Sequence, residues 1–270
     1  MSTKSKPRNP KQEPVTVVAI IPARAGKQSI HYKNLVKLGG KTLLEWAVAV
    51  AFAADKVDAV VVSTEDEKIT AEAKKLGAKV APRSKEYSQP TSDDSGWYHH
   101  AATWMGEELG WKPELLVNLR PTGPLRFPED VDKIVQYMLD HPEVDGVKSV
   151  IPAPIHPYKM WQFADRQACS VGQGGAMESV FANDYRRIHG PDQPRQKIQE
   201  MFPVYWQDAQ IDVTRRKFVL RHETLELGSV WGPNMHGYVL DARSVVDIDA
   251  PEDLKEAARI YKQLKKEREK

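Results

Sequence analysis

The stretch VTVVAIIPARAGKQSIHYKN, residues 15–34, decides the fold. VTVVAIIP, residues 15–22, is a continuous run rich in β-branched residues, the pattern of a strand buried on both faces. The chain then turns at Pro22 into a polar loop that offers Arg24, Gly26, Lys27, Lys33 and Asn34. Small residues let backbone amides approach phosphate oxygens, and cations neutralise the phosphate charge. The loop has neither the GxxxxGK of the common nucleotide-binding loops nor a GxGxxG turn. A solvated basic loop after a core strand is the competing reading.

Outward from this strand, the pattern repeats. A helix is expected from Thr42 to about Ala54, and VDAVVVST, 57–64, is a second buried strand. Thr64 and Glu67 stand at capping-box spacing, which starts a helix rather than a hairpin. ELLVNL, 114–119, reads as another buried strand, followed by Val131, Ile134, Val135, Met138 and Leu139 at helical spacing. DGVKSVI, 145–151, offers a further strand. Strands alternating with amphipathic helices predict an α/β fold with a mostly parallel, doubly wound sheet. Ligands bind such sheets beyond the carboxyl ends of the strands.

The rhythm changes between about 152 and 240, where prolines, aromatics and glutamines replace it. That span is expected to be an inserted lobe shaping a substrate site or an interface. The βα pattern returns at VVDIDAPEDL, 245–254, ahead of a terminal helix with Leu254, Ala257, Ala258, Tyr261 and Leu264 facing inward. Residues 1–14 read as a flexible tail, leaving 15–270 as one domain.

Composition sets bounds. The 270 residues are 41% hydrophobic and 28% charged, an ordinary globular balance. A net charge of +2 is too small to argue for nucleic acid or an anionic membrane, so neither is expected as partner and any basic site is local. No stretch has the ~20 apolar residues of a membrane helix. One cysteine, Cys169, allows no internal disulfide and suits a reducing, cytoplasmic setting.

Two further stretches carry candidate chemistry. LRPTGPLR, 119–126, follows a buried strand; its prolines and glycine fix an irregular turn, and Arg120 is placed to address an anion or a base edge. A structural turn whose arginines cap carbonyls is the alternative. In Asp247-Ile248-Asp249, an extended chain projects both carboxylates to one side, which suits Mg²⁺ with substrate phosphates. The alternative is that Asp249 caps the terminal helix. His99, His100, His189 and His236 lack ligand spacing and read as packing or polar surface.

IPARAG with Lys33-Asn34, VVSTED at 61–66, LRPTGPLR, QPRQ at 193–196 and DIDAPEDL at 247–254 occur in the order found in the acylneuraminate (CMP-sialic acid) cytidylyltransferases and their relatives for other acidic sugars. The chain resembles that family over roughly residues 15–265. The resemblance implies a Rossmann-like nucleotidyltransferase fold, CTP and Mg²⁺, an acidic sugar as acceptor, and a homodimer. It implies that Ala23, Arg24, Lys27, Lys33 and Asn34 hold the CTP phosphates and ribose, with Arg24, Lys33 and Asp249 catalytic. Arg83 would lie beside the nucleotide, Asp94 and Ser95 near the base, and Arg120 between nucleotide and sugar. Lys159 and Asp212 would reach the sugar, Arg195 and Gln196 the substrate site of the neighbouring subunit, and Asp247 and Asp249 the metal. Departures are also present. Gln28 stands at the family's usual lysine, with Lys27 one residue earlier. Arg120 stands where many relatives carry glutamine. Asp208-Ala209 replaces an Asn-Gly, and Asp212 a tyrosine common in the sialic acid enzymes. Sialic, legionaminic, pseudaminic and octulosonic acids, or a phosphonate, fit the same resemblance, as does a CTP-binding protein without turnover. A metal-dependent glycosyltransferase using the Asp-x-Asp pair is the enzyme rival.

Overall fold

The computed structural model describes residues 14–25, 29–89, 91–157, 160–163, 177–179, 203–221, 224–227 and 229–268. In chain order its strands are β1 (Val17–Pro22), β2 (Lys37–Leu38), β3 (Lys41–Thr42), β4 (Ala59–Thr64), β5 (Lys79–Pro82), β6 (Leu115–Asn118), β7 (Gly146–Pro152), β8 (Trp161–Phe163), β9 (Met177–Ser179), β10 (Tyr205–Arg215) and β11 (Met235–Val239). The longer helices are α1 (Leu43–Ala53), α2 (Glu67–Lys75), α3 (Asp94–Leu109), α4 (Pro128–Asp140) and the terminal helix Pro251–Arg268. Two compact units emerge, one of Met1–Val150 with Gln207–Lys270 and the other of Ile151–Trp206.

The larger unit is built on a seven-stranded sheet in the order β11-β7-β10-β6-β1-β4-β5. β1 pairs in parallel with β4 and β6, and β4 with β5, so their carboxyl ends share one edge. β10 runs antiparallel to β6, with Asp212 opposite Asn118, and its amino end therefore reaches the same edge. Val18, Ala19, Ile20 and Ile21 are fully buried, as expected of a strand covered by helices on both faces. Each large aliphatic side chain so buried contributes roughly 1.5–3 kcal/mol.

Local chemistry sets the helix starts. Thr42 accepts a hydrogen bond from Glu45 N at 3.0 Å and begins α1. α2 is capped by Asp66, whose carboxylate accepts from Lys68 N and Ile69 N, both at 2.9 Å. The expected Thr64 cap is thereby corrected: Thr64 lies within β4, and its hydroxyl supports Asp66 N instead. In α4, Val131, Ile134, Val135 and Met138 are buried as expected, whereas Leu139 is exposed. On the terminal helix, Ala257 is buried, and Leu254, Ala258, Tyr261 and Leu264 pack with it against Leu43 and Ile248. Gly39, at φ +60°, lies against the Tyr261 ring, where a Cβ would collide.

Residues 207–240, assigned from sequence to the inserted lobe, belong to the larger unit and supply most of β10 and all of β11. The smaller unit contains the antiparallel pair β8–β9, with Trp161 opposite Ser179. Residues 245–249 form no ladder; Ile248 N donates to Thr122 O at 2.9 Å.

Candidate active site

The loops beyond the shared strand edge enclose a cleft of about 320 Å³ within the larger unit, the scale of small-molecule sites. β1 delivers Pro22 and Arg24, β5 delivers Arg83, and β6 delivers Arg120, Pro121 and Thr122. The start of β10 adds Gln207 and Ala209, α3 adds Asp94 and Trp97, and the segment before the terminal helix adds Asp247 and Asp249. Lys33 and Asn34 complete the first loop's contribution.

On one side of the cleft, Lys33 Nζ donates to Asp249 Oδ1 at 2.8 Å. Asp247 and Asp249 are both exposed while Ile248 between them is buried, so the two carboxylates face the cleft together. The carboxylate of Asp249 does not cap the terminal helix. Asp253, in the first turn, instead ties the preceding segment to the helix by accepting from Asp249 N at 2.9 Å and Ala250 N at 2.7 Å. The Ser29 hydroxyl donates to Asp249 O. Asn34 Nδ2 donates to Arg24 O at 2.8 Å, and Arg24 Nη1 to Gln89 O at 2.7 Å. The Asn34 amide thus braces the loop that presents Arg24. Ala25 N donates to Glu65 Oε1 at 2.9 Å and ties that loop to the end of β4.

On the other side, Arg120 forms a two-pronged ion pair with Asp94. Asp93 caps α3 by accepting from Ser95 N and Gly96 N, which leaves the Asp94 carboxylate for Arg120 and for Trp97 Nε1 at 2.9 Å. Burial pushes the Asp94 carboxyl up, but the charge and hydrogen bonds of Arg120 outweigh it and hold the group below its ordinary value. Arg83 is buried over the Trp97 ring and donates to Ser63 Oγ and Ser63 O at 3.1 and 3.0 Å. Burial lowers its guanidinium to about 10, opposed by Glu65 and Asp94.

Beneath the wall lies a second layer. Arg126 is fully enclosed and donates to Gly123 O, Gln210 O and Arg120 O, so it pins the turn that carries Arg120. Burial lowers it to about 9 against the opposing charges of Asp208, Asp212 and Asp247. Asp212 is 2% exposed. Burial raises its carboxyl to about 6, with Arg120 and Lys148 pulling the other way. Its Oδ1 has no hydrogen-bond partner, and neither has Asn118 Oδ1 across the ladder. Ala209, beside them on β10, holds a left-handed φ of 56°. A left-handed backbone of the kind glycine favours is therefore held here by an alanine.

The structure thus brings Arg24, Lys33, Asn34, Arg83, Asp94, Arg120, Asp247 and Asp249 to one cleft. Ala23, Ser95 and Asp212 are not on its wall. Ala23 and Ser95 are buried, with Ala23 N bonded to Ser63 O at 2.9 Å and the Ser95 hydroxyl to Asp93. Lys27, Lys159, Arg195 and Gln196 lie outside the described residues, as do Cys169 and His189. Tyr87, Ser92, Trp97, Gln207 and Ala209 line the cleft without having been singled out from sequence for binding there. The Asp208-Ala209 departure was the signal available for the last. His99 and His100 lie in α3, and His236 bonds the Tyr137 hydroxyl at 2.8 Å. Among the described residues no cluster of three or more His, Cys, Asp or Glu side chains is arranged for a metal, and no helix is long and apolar enough to cross a membrane.

Comparison with known proteins bears on the fold and the family. The 8-amino-3,8-dideoxy-manno-octulosonate cytidylyltransferase of Shewanella sediminis is 24% identical over 254 residues, covering 89% of this chain and 96% of the relative. The N-acylneuraminate cytidylyltransferase B of Danio rerio is 32% identical over 135 residues, 49% of this chain but 30% of the relative. The solved structure of CMP:2-keto-3-deoxy-manno-octonic acid synthetase with CTP superposes with a TM-score of 0.60 at 16% identity, covering 92% of this chain and 99% of the other. The fold is accordingly the Rossmann-like nucleotidyltransferase fold. The cytidylyltransferase family model matches residues 18–157, more than half of the chain. With its cationic loops gathered at the carboxyl edge of a parallel sheet, this chain belongs to the cytidylyltransferase family of CTP-using nucleotidyltransferases.

Proposed function

We propose that this enzyme transfers CMP from CTP to an acidic 2-keto sugar and releases pyrophosphate. The observation that carries the reading is the division of cations within one cleft. Lys33 is paired with Asp249 beside Asp247, Arg24 is held by Gln89 O on the first loop, and Arg120 is paired with Asp94 on the β6 loop. One group suits a triphosphate, and the other a separate anion such as an acceptor carboxylate. The octulosonate and acylneuraminate names of the relatives support the class of acceptor.

Chemically, an acceptor hydroxyl oxygen bonds to the α-phosphorus as the bond from that phosphorus to the pyrophosphate oxygen breaks. Such a displacement needs alignment and charge stabilisation rather than a covalent enzyme intermediate. Arg24 and Lys33 neutralise the leaving pyrophosphate, and Arg120 orients the acceptor. Asp247 and Asp249 suit Mg²⁺, because hard oxygen donors facing one side can be completed by water and phosphate oxygens. Bound there, the ion would polarise phosphate oxygens and lower the pKa of the attacking hydroxyl. A homodimer belongs to the same proposal and is checked by light scattering.

The test is pyrophosphate release with CTP, Mg²⁺ and a panel of octulosonic, sialic, legionaminic and pseudaminic acids, beside ATP, GTP and UTP controls. Release with CTP and one acid is expected. CTP binding without release for any acid overturns the acceptor class. Asp249→Asn should lower kcat at least a hundredfold and shift the thermal midpoint by no more than about 4 °C, since asparagine keeps an oxygen for Lys33 and the exposed half of the pair is worth at most about 1 kcal/mol.

A further inference from the structure

Arg120 is placed to bind an anion, yet it is already bound to one. Its guanidinium meets both oxygens of Asp94 in the fork-to-carboxylate arrangement that a ligand carboxylate would adopt. The two residues are 26 positions apart in the chain and belong to different elements, α3 and the loop after β6. The pair is open to the cleft, with side chains 30% and 47% exposed. Asp94 is not needed as the helix cap, because Asp93 fills that role. The buried carboxylate of Asp212, opposite Asn118 on the neighbouring strand, acts on the same guanidinium through its charge, and Arg126 donates to the backbone carbonyl of Arg120.

We propose that Asp94 is an internal occupant of the Arg120 anion site, that the carboxylate of the acceptor displaces it, and that Asp212 and Arg126 hold Arg120 in place during the exchange. The inference rests on the acidic acceptor proposed above. It makes Asp94 a specificity-determining residue: a neutral ligand gains nothing by displacing a carboxylate, whereas an acid replaces like with like. It also distinguishes Arg120 from a neutral amide at that position, which would need no internal counter-ion. An exposed Arg–carboxylate pair is worth at most about 1 kcal/mol, so its removal should tighten a competing carboxylate by about three- to fivefold.

The test uses the full chain with ¹⁵N-labelled arginine, the Arg120 Nε–H signal being assigned by its loss in Arg120→Lys. Pyruvate serves as a minimal 2-oxo-carboxylate and pyruvamide as its neutral counterpart. Pyruvate should move the Arg120 signal and pyruvamide should not. In Asp94→Asn, which keeps an acceptor for Trp97, the pyruvate midpoint should fall about three- to fivefold while the heteronuclear NOE of Arg120 stays at its rigid value. Asp94→Ser repeats the measurement if the asparagine variant does not fold. An unchanged or higher midpoint, or an Arg120 that becomes mobile without Asp94, overturns the inference by making Asp94 the anchor rather than the occupant. Failure of the acceptor reading is separate: the exchange would hold with pyruvate while no acid of the panel reacted with CTP.

Discussion

Asp212→Asn should make this enzyme more stable at neutral pH. The side chain is 2% exposed in the middle of the sheet, and one of its oxygens has no hydrogen-bond partner. Burial raises the carboxyl from its ordinary 3.8 to about 6, with Asp94 and Asp208 adding to the rise and Arg120 and Lys148 opposing it. The folded chain therefore holds a proton on Asp212 that the unfolded chain has lost between those two values. The stability contributed by the protonated form is fully present below the unfolded value and is lost as pH rises through the folded one. At 1.36 kcal/mol per pH unit, the ionised group destabilises the fold by about 3 kcal/mol above pH 7. Asparagine keeps the shape without the charge, so the variant should exceed the wild type by about 2–3 kcal/mol at pH 8. The gain should fall to about half of that at pH 5. Urea unfolding at both pH values measures it. A variant no more stable than wild type at pH 8, or a gap independent of pH, would show that Arg120 fully compensates the charge and would refute the reasoning.

Three other outcomes are expected. Ala209→Gly should stabilise by up to about 1 kcal/mol, because glycine relieves the left-handed φ of 56° while losing more entropy on folding; calorimetry should show a midpoint raised by about 2 °C. Arg126→Met should cost about 3–5 kcal/mol, since carbonyls of Gly123, Gln210 and Arg120 lose a buried charged donor. Pyrophosphate release should show its kcat/KM falling more than tenfold, as the turn carrying Arg120 loosens. Asp66→Ala should cost about 1 kcal/mol in urea unfolding by uncapping α2, whereas Thr64→Ser should leave that cap in place.

What the sequence reveals follows from how burial is written in it. β1, β4 and β6 were legible because strands covered on both faces are almost wholly aliphatic, and α4 because Val131, Ile134, Val135 and Met138 recur on one face. β10 was not legible. It inserts between β7 and β6, yet it carries Asp208, Gln210, Asp212 and Thr214 into the interior. Such a stretch reads as loop, and this drew the inserted lobe to 240. The capping-box error has a similar origin: the spacing of Thr64 and Glu67 is right, but β4 continues through Thr64 and delays the helix until Asp66 can cap it. In the cleft, the alternation of Asp247, Ile248 and Asp249 was readable from spacing alone. The Arg120–Asp94 pair was not, because adjacent Asp93 and Asp94 are equivalent as caps until the helix start is fixed.

The buried polar residues of β10 and the paired cations of the cleft share one electrostatic logic. Arg24, Lys33, Arg83 and Arg120 face Asp94, Asp247 and Asp249 across a single cleft. Left unpaired, cations so close would repel one another and lower stability. Lys33 on Asp249 and Arg120 on Asp94 offset part of that repulsion before any ligand arrives. On the reading proposed above, an acceptor carboxylate enters by partner exchange, taking Arg120 from Asp94. The exchange trades one pair for another, so its net gain is modest. Selectivity must come instead from the geometry that places the exchange. That geometry depends on Arg126 and the β10 segment beneath the wall, whose enclosed charges lower stability on their own account. Retaining Asp212 ionised there, at the stability deficit argued above, makes physical sense only if Arg120 must stay fixed while its partner in the cleft changes.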